Sequence, residues 1–248
     1  MRLQLGPKDL SIDFNFEVVK KAAGLQVVGG HVGRYDKIGL FLSGGPDSTA
    51  LLCLLLTELK QTGNLDKFPI TCLTVLKNDG CTYYADRIVK EVSRMFDCEI
   101  QHITNIENQY MNVLPSKFEG EVVVKLRKEN PTMILYSGMN LSSHDIGKFK
   151  HSSPAAADDI FSKQTAFVTP FKHLLKPQLL DIFYKLGCES LIPLTHSCIM
   201  THVGTCNDCY SCEERAWGFK LLGKTDPGTF MPDIEDITYN NSWEFPTS

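Results

Sequence analysis

The sequence feature that most constrains this chain is a short apolar run joined by a glycine-containing loop to a leucine-rich segment. The apolar run covers residues 38–42 (IGLFL), and its continuous hydrophobicity is typical of a strand buried in a parallel sheet. The loop that follows covers residues 43–48 (SGGPDS). Leucines at 51, 52, 55 and 59 then recur at helical spacing as far as about residue 60. The sequence therefore predicts a buried strand, a tight loop and a helix in direct succession.

The same pattern of strand and helix recurs along the chain. Further strands are predicted over residues 70–76, 99–103 and 133–136, and further helices over residues 84–96 and 174–186. Such alternation is typical of an α/β fold in which a parallel sheet is flanked by helices.

Three regions are expected from these patterns. Residues 1–36 are an N-terminal extension in which apolar residues at 12, 14 and 16 alternate with polar ones, which predicts a hairpin or short strands. Residues 37–190 carry the alternation of strand and helix, interrupted by an irregular insertion over 141–165. Residues 191–248 contain a group of cysteines and are expected to form a small C-terminal lobe and tail.

The glycine loop has the features of a phosphate-binding site. Gly44 and Gly45 let the backbone approach a ligand closely, and a helix start directly after them presents N–H groups and partial positive charge. Ser43 and Ser48 can donate hydroxyl hydrogen bonds to phosphate oxygens. Asp47 repels a phosphate, so a bridging Mg²⁺ is its natural partner. An ordinary tight turn between strand and helix is the alternative interpretation of these residues.

The second feature that carries chemistry is a cluster of cysteines near the C-terminus. Four of the nine cysteines lie within fifteen residues, namely Cys198, Cys206, Cys209 and Cys212. Four thiolates at this spacing are typical of a closed, tetrahedral, structural zinc site, with an iron–sulfur cluster as the alternative. The odd number of cysteines and the absence of an N-terminal signal sequence argue against a disulfide framework.

Composition limits the classes of partner. The net charge of -4 and a pI near 6.0 argue against a protein whose main affinity is for nucleic-acid phosphates or anionic lipid. The longest apolar run, residues 50–56, is far shorter than the ~20 residues that span a bilayer. We therefore expect a cytoplasmic protein with no membrane partner and no stable nucleic-acid binding.

The two motifs together carry a resemblance to a known family. Residues 43–48 resemble the pyrophosphate loop of the N-type ATP pyrophosphatases, the PP-loop superfamily. This loop combined with a C-x7-C-x2-C-x2-C motif in one chain resembles the 7-cyano-7-deazaguanine synthases, over roughly residues 37–228. Further matches to that family are Thr169-Pro170-Phe171, Lys176, Ser197, Arg215, Phe219 and Asp226-Pro227.

The resemblance implies an adenine nucleotide α-hydrolase-like, Rossmann-like fold and an ATP-dependent ligase. The residues expected to bind ATP with Mg²⁺ are Leu42, Ser43, Gly44, Gly45, Asp47, Ser48, Thr49 and the backbone near Val75. Asp47 and Lys176 are expected to be catalytic, with Lys176 stabilising charge on the triphosphate or the leaving pyrophosphate. Asn140, Asp145 and Arg215 are expected to bind the substrate.

The implied reaction converts 7-carboxy-7-deazaguanine to 7-cyano-7-deazaguanine with ammonia, through an acyl-adenylate and an amide, at the expense of two ATP. A homodimer is common in this family. Three segments depart from its pattern where it binds the base, at residues 77–80, 114–117 and 151–155.

These departures leave alternatives open. One is a related enzyme that stops at the amide or couples the acyl-adenylate to another amine, including one on a protein. A second is a PP-loop enzyme that modifies tRNA, and a third is a zinc-binding module with no ATP chemistry.

Overall fold

The computed structural model describes residues 2–6, 10–13, 26–28, 31–33, 36–75, 80–106, 125–126, 128–141, 145–146, 149–150 and 167–229. Two antiparallel hairpins come first, β1 (Arg2–Leu5) with β2 (Leu10–Asp13) and β3 (Gln26–Val28) with β4 (His31–Gly33). The elements that follow are β5 (Lys37–Phe41), α1 (Pro46–Gln61), β6 (Ile70–Val75), α2 (Cys81–Phe96), β7 (Ile100–Ile106), β8 (Met133–Ser137), β9 (Asp145–Ile146), β10 (Phe149–Lys150), β11 (Phe167–Val168), α3 (Lys176–Leu186), the 3-10 helix η1 (Glu189–Leu194) and α4 (Tyr210–Leu222).

Five of these strands form one parallel sheet in the order β11-β8-β5-β6-β7. Ile38 of β5 pairs with Ile70 of β6 on one side and with Ile134 of β8 on the other. The chain therefore builds the sheet outwards from β5 in one direction and later returns to extend it in the other. The loops after β5 and β8 separate at the point where the strand order reverses, which is where open α/β sheets bind ligands. The predicted class, an α/β fold with a parallel sheet flanked by helices, is confirmed.

The helices α1, α2 and α3 pack against one face of this sheet. Alternate strand residues point into this core, such as Ile38 and Leu40 of β5 and Tyr136 of β8. Residues 50–56 of α1 are all buried, because α2, α3 and the sheet surround that part of the helix. The apolar surface of α1 is thus wider than the predicted leucine stripe. The opposite face of the sheet carries a smaller cluster of Leu73, Met133 and Leu135.

The predicted elements between residues 37 and 190 are present, and their ends differ from the prediction by at most three residues. The predicted N-terminal hairpin is present as β1 and β2, although Phe14 and Phe16 lie outside the described residues. Leu5 of β1 is buried in the main core, and the Gly6 N–H donates to Asp181 Oδ2 of α3 at 3.0 Å. The N-terminus therefore packs on the sheet domain.

The C-terminal lobe packs on the sheet domain through α4, which crosses α3 closely. A Cβ atom at Gly218 of α4 would lie 2.9 Å from Leu180 Cδ1 and 2.9 Å from Lys176 Cγ, so glycine permits this crossing. In the insertion, the described residues form the small hairpin of β9 and β10. Among the described helices, none has the length and apolar character needed to cross a bilayer.

Candidate phosphate-binding loop and metal centre

The loop between β5 and α1 requires glycine at one position. Gly44 has a φ of +73°, and a Cβ atom there would lie 2.8 Å from the carbonyl oxygen of Cys81. Gly45 is the N-cap of α1 and provides no side-chain cap, and Pro46 in the first turn has no N–H. The N–H groups of the next residues, Asp47 and Ser48, have no helical carbonyl to donate to and point out of the helix end. This helix start is suited to binding an anion.

Hydroxyl groups close the loop. Ser48 Oγ accepts a hydrogen bond from the Ser43 N–H at 3.2 Å and also lies 3.2 Å from Ser43 Oγ. Thr49 Oγ1 donates to the Gly45 carbonyl at 2.8 Å. These bonds hold the loop in one shape before any ligand arrives, which lowers the entropy cost of binding.

A second loop, which follows β8, packs directly on the first turn of α1. A Cβ atom at Gly138 would lie 2.8 Å from the Ser48 nitrogen and 2.9 Å from the Asp47 carbonyl carbon. Glycine is therefore needed where the two loops meet. Two residues further on, Asn140 Nδ2 lies 3.5 Å from Glu214 Oε1 of α4. The loops after β5 and β8 thus border the same site, as the reversal of strand order requires.

Lys176 lies between two carboxylates at this site. Its ammonium donates to both oxygens of Asp47, at 2.6 and 2.5 Å, and lies 3.0 Å from Glu214 Oε2. The side chains of Lys176 and Glu214 are 6% and 7% exposed, whereas that of Asp47 is 24% exposed. Burial lowers the pKa of Lys176, but Asp47 and Glu214 outweigh burial and raise it to about 12. Lys176 is therefore a cation at neutral pH. The fold brings together the two residues that the sequence predicts as catalytic.

Glu214 is a member of this cluster that sequence reasoning missed. Its Oε1 atom also accepts a hydrogen bond from the Tyr210 hydroxyl at 3.0 Å. A glutamate two residues after Cys212 in a helix has the pattern of a solvated surface residue. Only the packing of α4 on α3 buries it, so the sequence carries no signal for its position.

A chain of polar side chains supports the strand that leads into the loop. Thr74 Oγ1 donates to the Leu42 carbonyl at 2.7 Å and lies 2.8 Å from His102 Nε2. His102 Nδ1 lies 3.1 Å from Asp86 Oδ1. Burial raises the pKa of Asp86, but hydrogen bonds from Lys90 and His102 outweigh burial and lower it below its ordinary value. This series of hydrogen bonds links β6, β7 and α2 to Leu42, the residue directly before the loop at residues 43–48.

The remaining predicted site residues have different surroundings. The Val75 carbonyl, at the end of β6 beside β5, accepts a hydrogen bond from Cys81 Sγ at 3.2 Å. Asp145 lies on β9, and its side chain is outside the described part of the structure. Arg215 is buried, and it bonds both carboxylate oxygens of Asp226 at 2.9 Å and the Thr195 carbonyl at 3.1 Å. These contacts hold residues 226–229 against η1.

The four predicted cysteine ligands converge on one point. The Sγ atoms of Cys198, Cys206, Cys209 and Cys212 lie within 4.8 Å of one another, and those of Cys206 and Cys212 are 4.0 Å apart. A tetrahedral ion with metal–sulfur bonds of about 2.3 Å places its sulfurs about 3.8 Å apart. The four cysteines therefore have the residue types and the separations needed to hold one metal ion.

Cys198 Sγ and Cys206 Sγ accept hydrogen bonds from nearby donors. Cys206 Sγ accepts bonds from the N–H groups of Asp208 at 3.4 Å and Cys209 at 3.3 Å, in a turn where Asn207 has a φ of +54°. Burial raises the pKa of Cys198, but bonds from the Thr201 hydroxyl and a backbone N–H outweigh burial and lower it to about 6. Because metals bind the thiolate form, the donors to Cys198 favour metal binding at this sulfur, whereas burial raises the pKa of Cys212.

The C-terminal lobe that carries the four cysteines, called the cysteine lobe below, directly contacts the loop at residues 43–48, called the phosphate loop below. The His196 N–H, two residues before Cys198, donates to the Gly44 carbonyl at 2.9 Å. The His196 ring stacks on Tyr84 of α2 with centroids 4.4 Å apart, and the Tyr84 hydroxyl donates to the His202 carbonyl at 3.0 Å. The lobe therefore joins the loop to α2. The sequence does not predict these contacts, because they join residues far apart in the chain.

Comparisons with known proteins give similar structures but no family. No protein-family model matches the sequence, and no curated protein does. A U34-tRNA thiolase, NcsA, from Methanococcus maripaludis with its [4Fe-4S] cluster is 18% identical, with a TM-score of 0.41, over 83% of this chain and 71% of that one. An NAD+ synthetase from Burkholderia pseudomallei is 12% identical, with a TM-score of 0.40, over 90% of this chain and 81% of that one. At these identities we infer function from the residues of this chain.

Proposed function

We propose that this chain is an ATP-dependent enzyme of the ATP pyrophosphatase type, which activates a carboxylic acid as its adenylate. The observation that carries the proposal is the pair of Asp47 and Lys176 at the uncapped N-terminus of α1. A carboxylate for Mg²⁺, a cation at neutral pH and outward-pointing N–H groups are the groups that bind a nucleoside triphosphate. They lie at the reversal of strand order, where this fold class binds ligands.

We assign each of these groups one task in the activation of the acid by ATP. Residues 42–49 hold the phosphates, and the backbone near Val75 receives the adenine. Asp47 would hold Mg²⁺, which would neutralise charge on the triphosphate. Lys176 donates to the oxygens that gain charge as pyrophosphate leaves. The protein provides no nucleophile, because its contribution is to hold the acid in line with the α-phosphate.

The acid in this proposal is 7-carboxy-7-deazaguanine. Its carboxylate attacks the α-phosphate and displaces pyrophosphate, and ammonia then displaces AMP to give the amide. The amide oxygen then attacks a second ATP and displaces pyrophosphate, and elimination of AMP together with a proton gives the nitrile. Asn140 and Asp145 are assigned to the substrate side because they follow β8 at the same edge of the sheet. Arg215 is assigned to this side as well, and its contacts keep α4 in place beside Asn140.

Zinc is the metal that we propose for the four cysteines, with a structural role. Four thiolates complete a tetrahedral shell and leave no coordination position for water. A [4Fe–4S] cluster bonds each thiolate to a different iron, and a [2Fe–2S] cluster divides the four thiolates between two irons, so either spreads the four sulfurs farther apart than one ion does. The compact group of Sγ atoms therefore favours the single ion.

The experiment is turnover with defined components. The protein is incubated with 7-carboxy-7-deazaguanine, ATP, Mg²⁺ and ammonia, and pyrophosphate, AMP and the deazaguanine products are measured by mass spectrometry. We expect pyrophosphate and AMP from the wild type, a decrease of at least about a hundredfold in Asp47→Asn and no decrease in the exposed control Asp66→Asn. Pyrophosphate release that Asp47→Asn leaves unchanged would refute the assignment of the loop.

The same products decide between related reactions. Nitrile supports the complete sequence. Amide that accumulates without nitrile identifies an enzyme that stops after one activation. A mass increase on an added amine or protein identifies transfer of the acyl group to another acceptor, which the departures at residues 77–80, 114–117 and 151–155 motivate.

A further inference from the structure

The cluster around Lys176 contains one cation and two carboxylates that differ in access. Asp47 belongs to the first turn of α1 and is 24% exposed, whereas Glu214 belongs to α4 and is 7% exposed. Asp47 accepts hydrogen bonds from the Lys176 ammonium, and Glu214 Oε2 lies 3.0 Å from the same nitrogen. A metal ion that approaches from the phosphate loop can therefore reach Asp47 more readily than Glu214.

If the Asp47 carboxylate turned to a metal ion, the Lys176 ammonium would stay buried with one carboxylate partner fewer. The Lys176 side chain is 6% exposed, and a charge in such surroundings is costly unless a partner remains. Glu214 is such a partner, with Oε2 3.0 Å from Nζ. It is itself held in place, because its Oε1 accepts from the Tyr210 hydroxyl at 3.0 Å and lies 3.5 Å from Asn140 Nδ2.

We infer that Glu214 is a positioning residue of the nucleotide site, which retains the Lys176 ammonium beside the phosphate loop when Asp47 turns from Lys176 to Mg²⁺. The inference rests on the proposed function in one respect, the use of Asp47 for Mg²⁺. It assigns the two carboxylates different tasks. Asp47 exchanges its partner during binding of the nucleotide, and Glu214 keeps its partner throughout.

The position of Glu214 depends on the cysteine lobe. Helix α4 begins at Tyr210, its N-cap is Cys209, and its first turn contains Cys212. A metal ion bound by the cysteines therefore fixes the start of the helix that carries both Glu214 and the tyrosine that holds it. In this way the lobe contributes a side chain to the nucleotide site.

The decisive experiment measures how readily the Lys176 amine reacts with a trace of acetic anhydride, with the modified peptide quantified by mass spectrometry. Asp47→Asn imitates the loss of Asp47 to a metal. We expect nearly wild-type labelling in Asp47→Asn and in Glu214→Gln, and an increase of about tenfold or more in the double variant, because only then is the ammonium without a carboxylate. Labelling in Asp47→Asn as high as in the double variant would overturn the inference.

A second pair of variants covers the case in which the double variant does not fold. Adding Tyr210→Phe to Asp47→Asn keeps the Glu214 carboxylate but removes the hydroxyl that holds it. Labelling above that of Asp47→Asn alone supports the inference, and equal labelling contradicts it. Glu213→Gln is the matched control, because it makes the same substitution one residue earlier in α4 and should leave labelling unchanged.

Kinetics separate a positioning role from a structural one. In Glu214→Gln we expect kcat for pyrophosphate release to fall about tenfold or more, with KM for ATP unchanged or lower, because the phosphate loop is intact and one negative charge is removed. An increase in KM with kcat unchanged would contradict the inference. If the variants label as expected but the wild type releases no pyrophosphate, the proposed function is refuted and the retention of Lys176 by Glu214 remains supported.

Discussion

Gly44 is the residue whose backbone sets the shape of the phosphate loop. Its φ of +73° lies in the left-handed region, and the carbonyl of Cys81 and the side chain of Tyr84 leave no room for a Cβ atom. Two independent requirements, conformation and space, therefore coincide at one position. Gly63 has a similar φ of +65°, but no atom lies within 4 Å of the place where its Cβ would be.

This contrast leads to a matched pair of variants. We expect Gly63→Ala to lower the free energy of unfolding by about 1–2 kcal/mol, the cost of a left-handed alanine. Gly44→Ala should cost more than this, because overlap with α2 adds to the same backbone cost. Gly44→Ala should also weaken ATP binding, measured by calorimetry. Equal losses of stability in the two variants would show that α2 adjusts to the extra methyl group.

Arg215 is predicted from the sequence to bind substrate, and its contacts in the structure predict an effect on stability. Its side chain is 2% exposed, and its guanidinium bonds both oxygens of Asp226. Arg215→Met should lower the free energy of unfolding by about 3–5 kcal/mol, because Asp226 and the Thr195 carbonyl lose their donor. The measurement is urea denaturation, with the exposed Lys220→Met on the same helix as control. A loss of affinity for the acid without loss of stability would instead support direct substrate binding.

At the scale of elements, the strands behind the loop are joined by side chains as well as by backbone pairing. Thr74 of β6 donates to the carbonyl of Leu42, the last residue before the loop, and contacts His102 of β7. Asp86 of α2 completes this chain. A helix and two neighbouring strands therefore fix the direction in which the backbone leaves β5.

Thr74→Val tests this support. The substitution keeps the shape of the side chain but leaves the buried Leu42 carbonyl without the hydroxyl donor, at an expected cost of about 1–3 kcal/mol in unfolding free energy. ATP affinity should fall as well, because the loop begins at the next residue. Thr71→Val is the control, since Thr71 is a buried threonine of the same strand that bonds Gln101 and not the loop. Equal effects of both variants on ATP affinity would argue against a specific role for Thr74.

At the scale of the whole molecule, the cysteine lobe and the sheet domain share one site. The lobe donates a hydrogen bond to Gly44, stacks on α2 through His196 and brings Glu214 to Lys176. Under the proposed function, a metal held by the four cysteines would affect nucleotide binding through these contacts, without touching the nucleotide.

Metal removal tests this link. Elemental analysis should find about one zinc per chain, as expected for four thiolates around a single ion. Chelation, or the substitution Cys209→Ser, should unfold the lobe and reduce ATP affinity about tenfold or more, because the contacts to Gly44 and Lys176 are lost with it. Cys98→Ser, outside the metal cluster, is the control and should change neither property. Full ATP affinity after complete metal removal would show that the sheet domain binds the nucleotide without help from the lobe.

The sequence by itself determined the elements and the two motifs. Continuous apolar runs identified the strands, helical spacing identified α1 and α2, and local spacing identified the loop at 43–48 and the four cysteines, because these patterns depend on residues near one another in the chain. It also paired Asp47 and Lys176 in function, although only through a resemblance to a family. The breadth of the apolar surface on α1 was underestimated, because packing on several sides leaves no periodic signal.

Only the tertiary structure decided which distant residues meet. The strand order that places β8 beside β5, the close approach of Gly138 to α1, the chain from Thr74 to Asp86 and the arrival of Glu214 at Lys176 all join segments separated by tens of residues. Such contacts arise from how helices and strands pack, and packing depends on the whole set of neighbours. For this reason the sequence predicted the loop at residues 43–48 and the group of four cysteines, and only the fold showed that the segment carrying the cysteines contacts that loop.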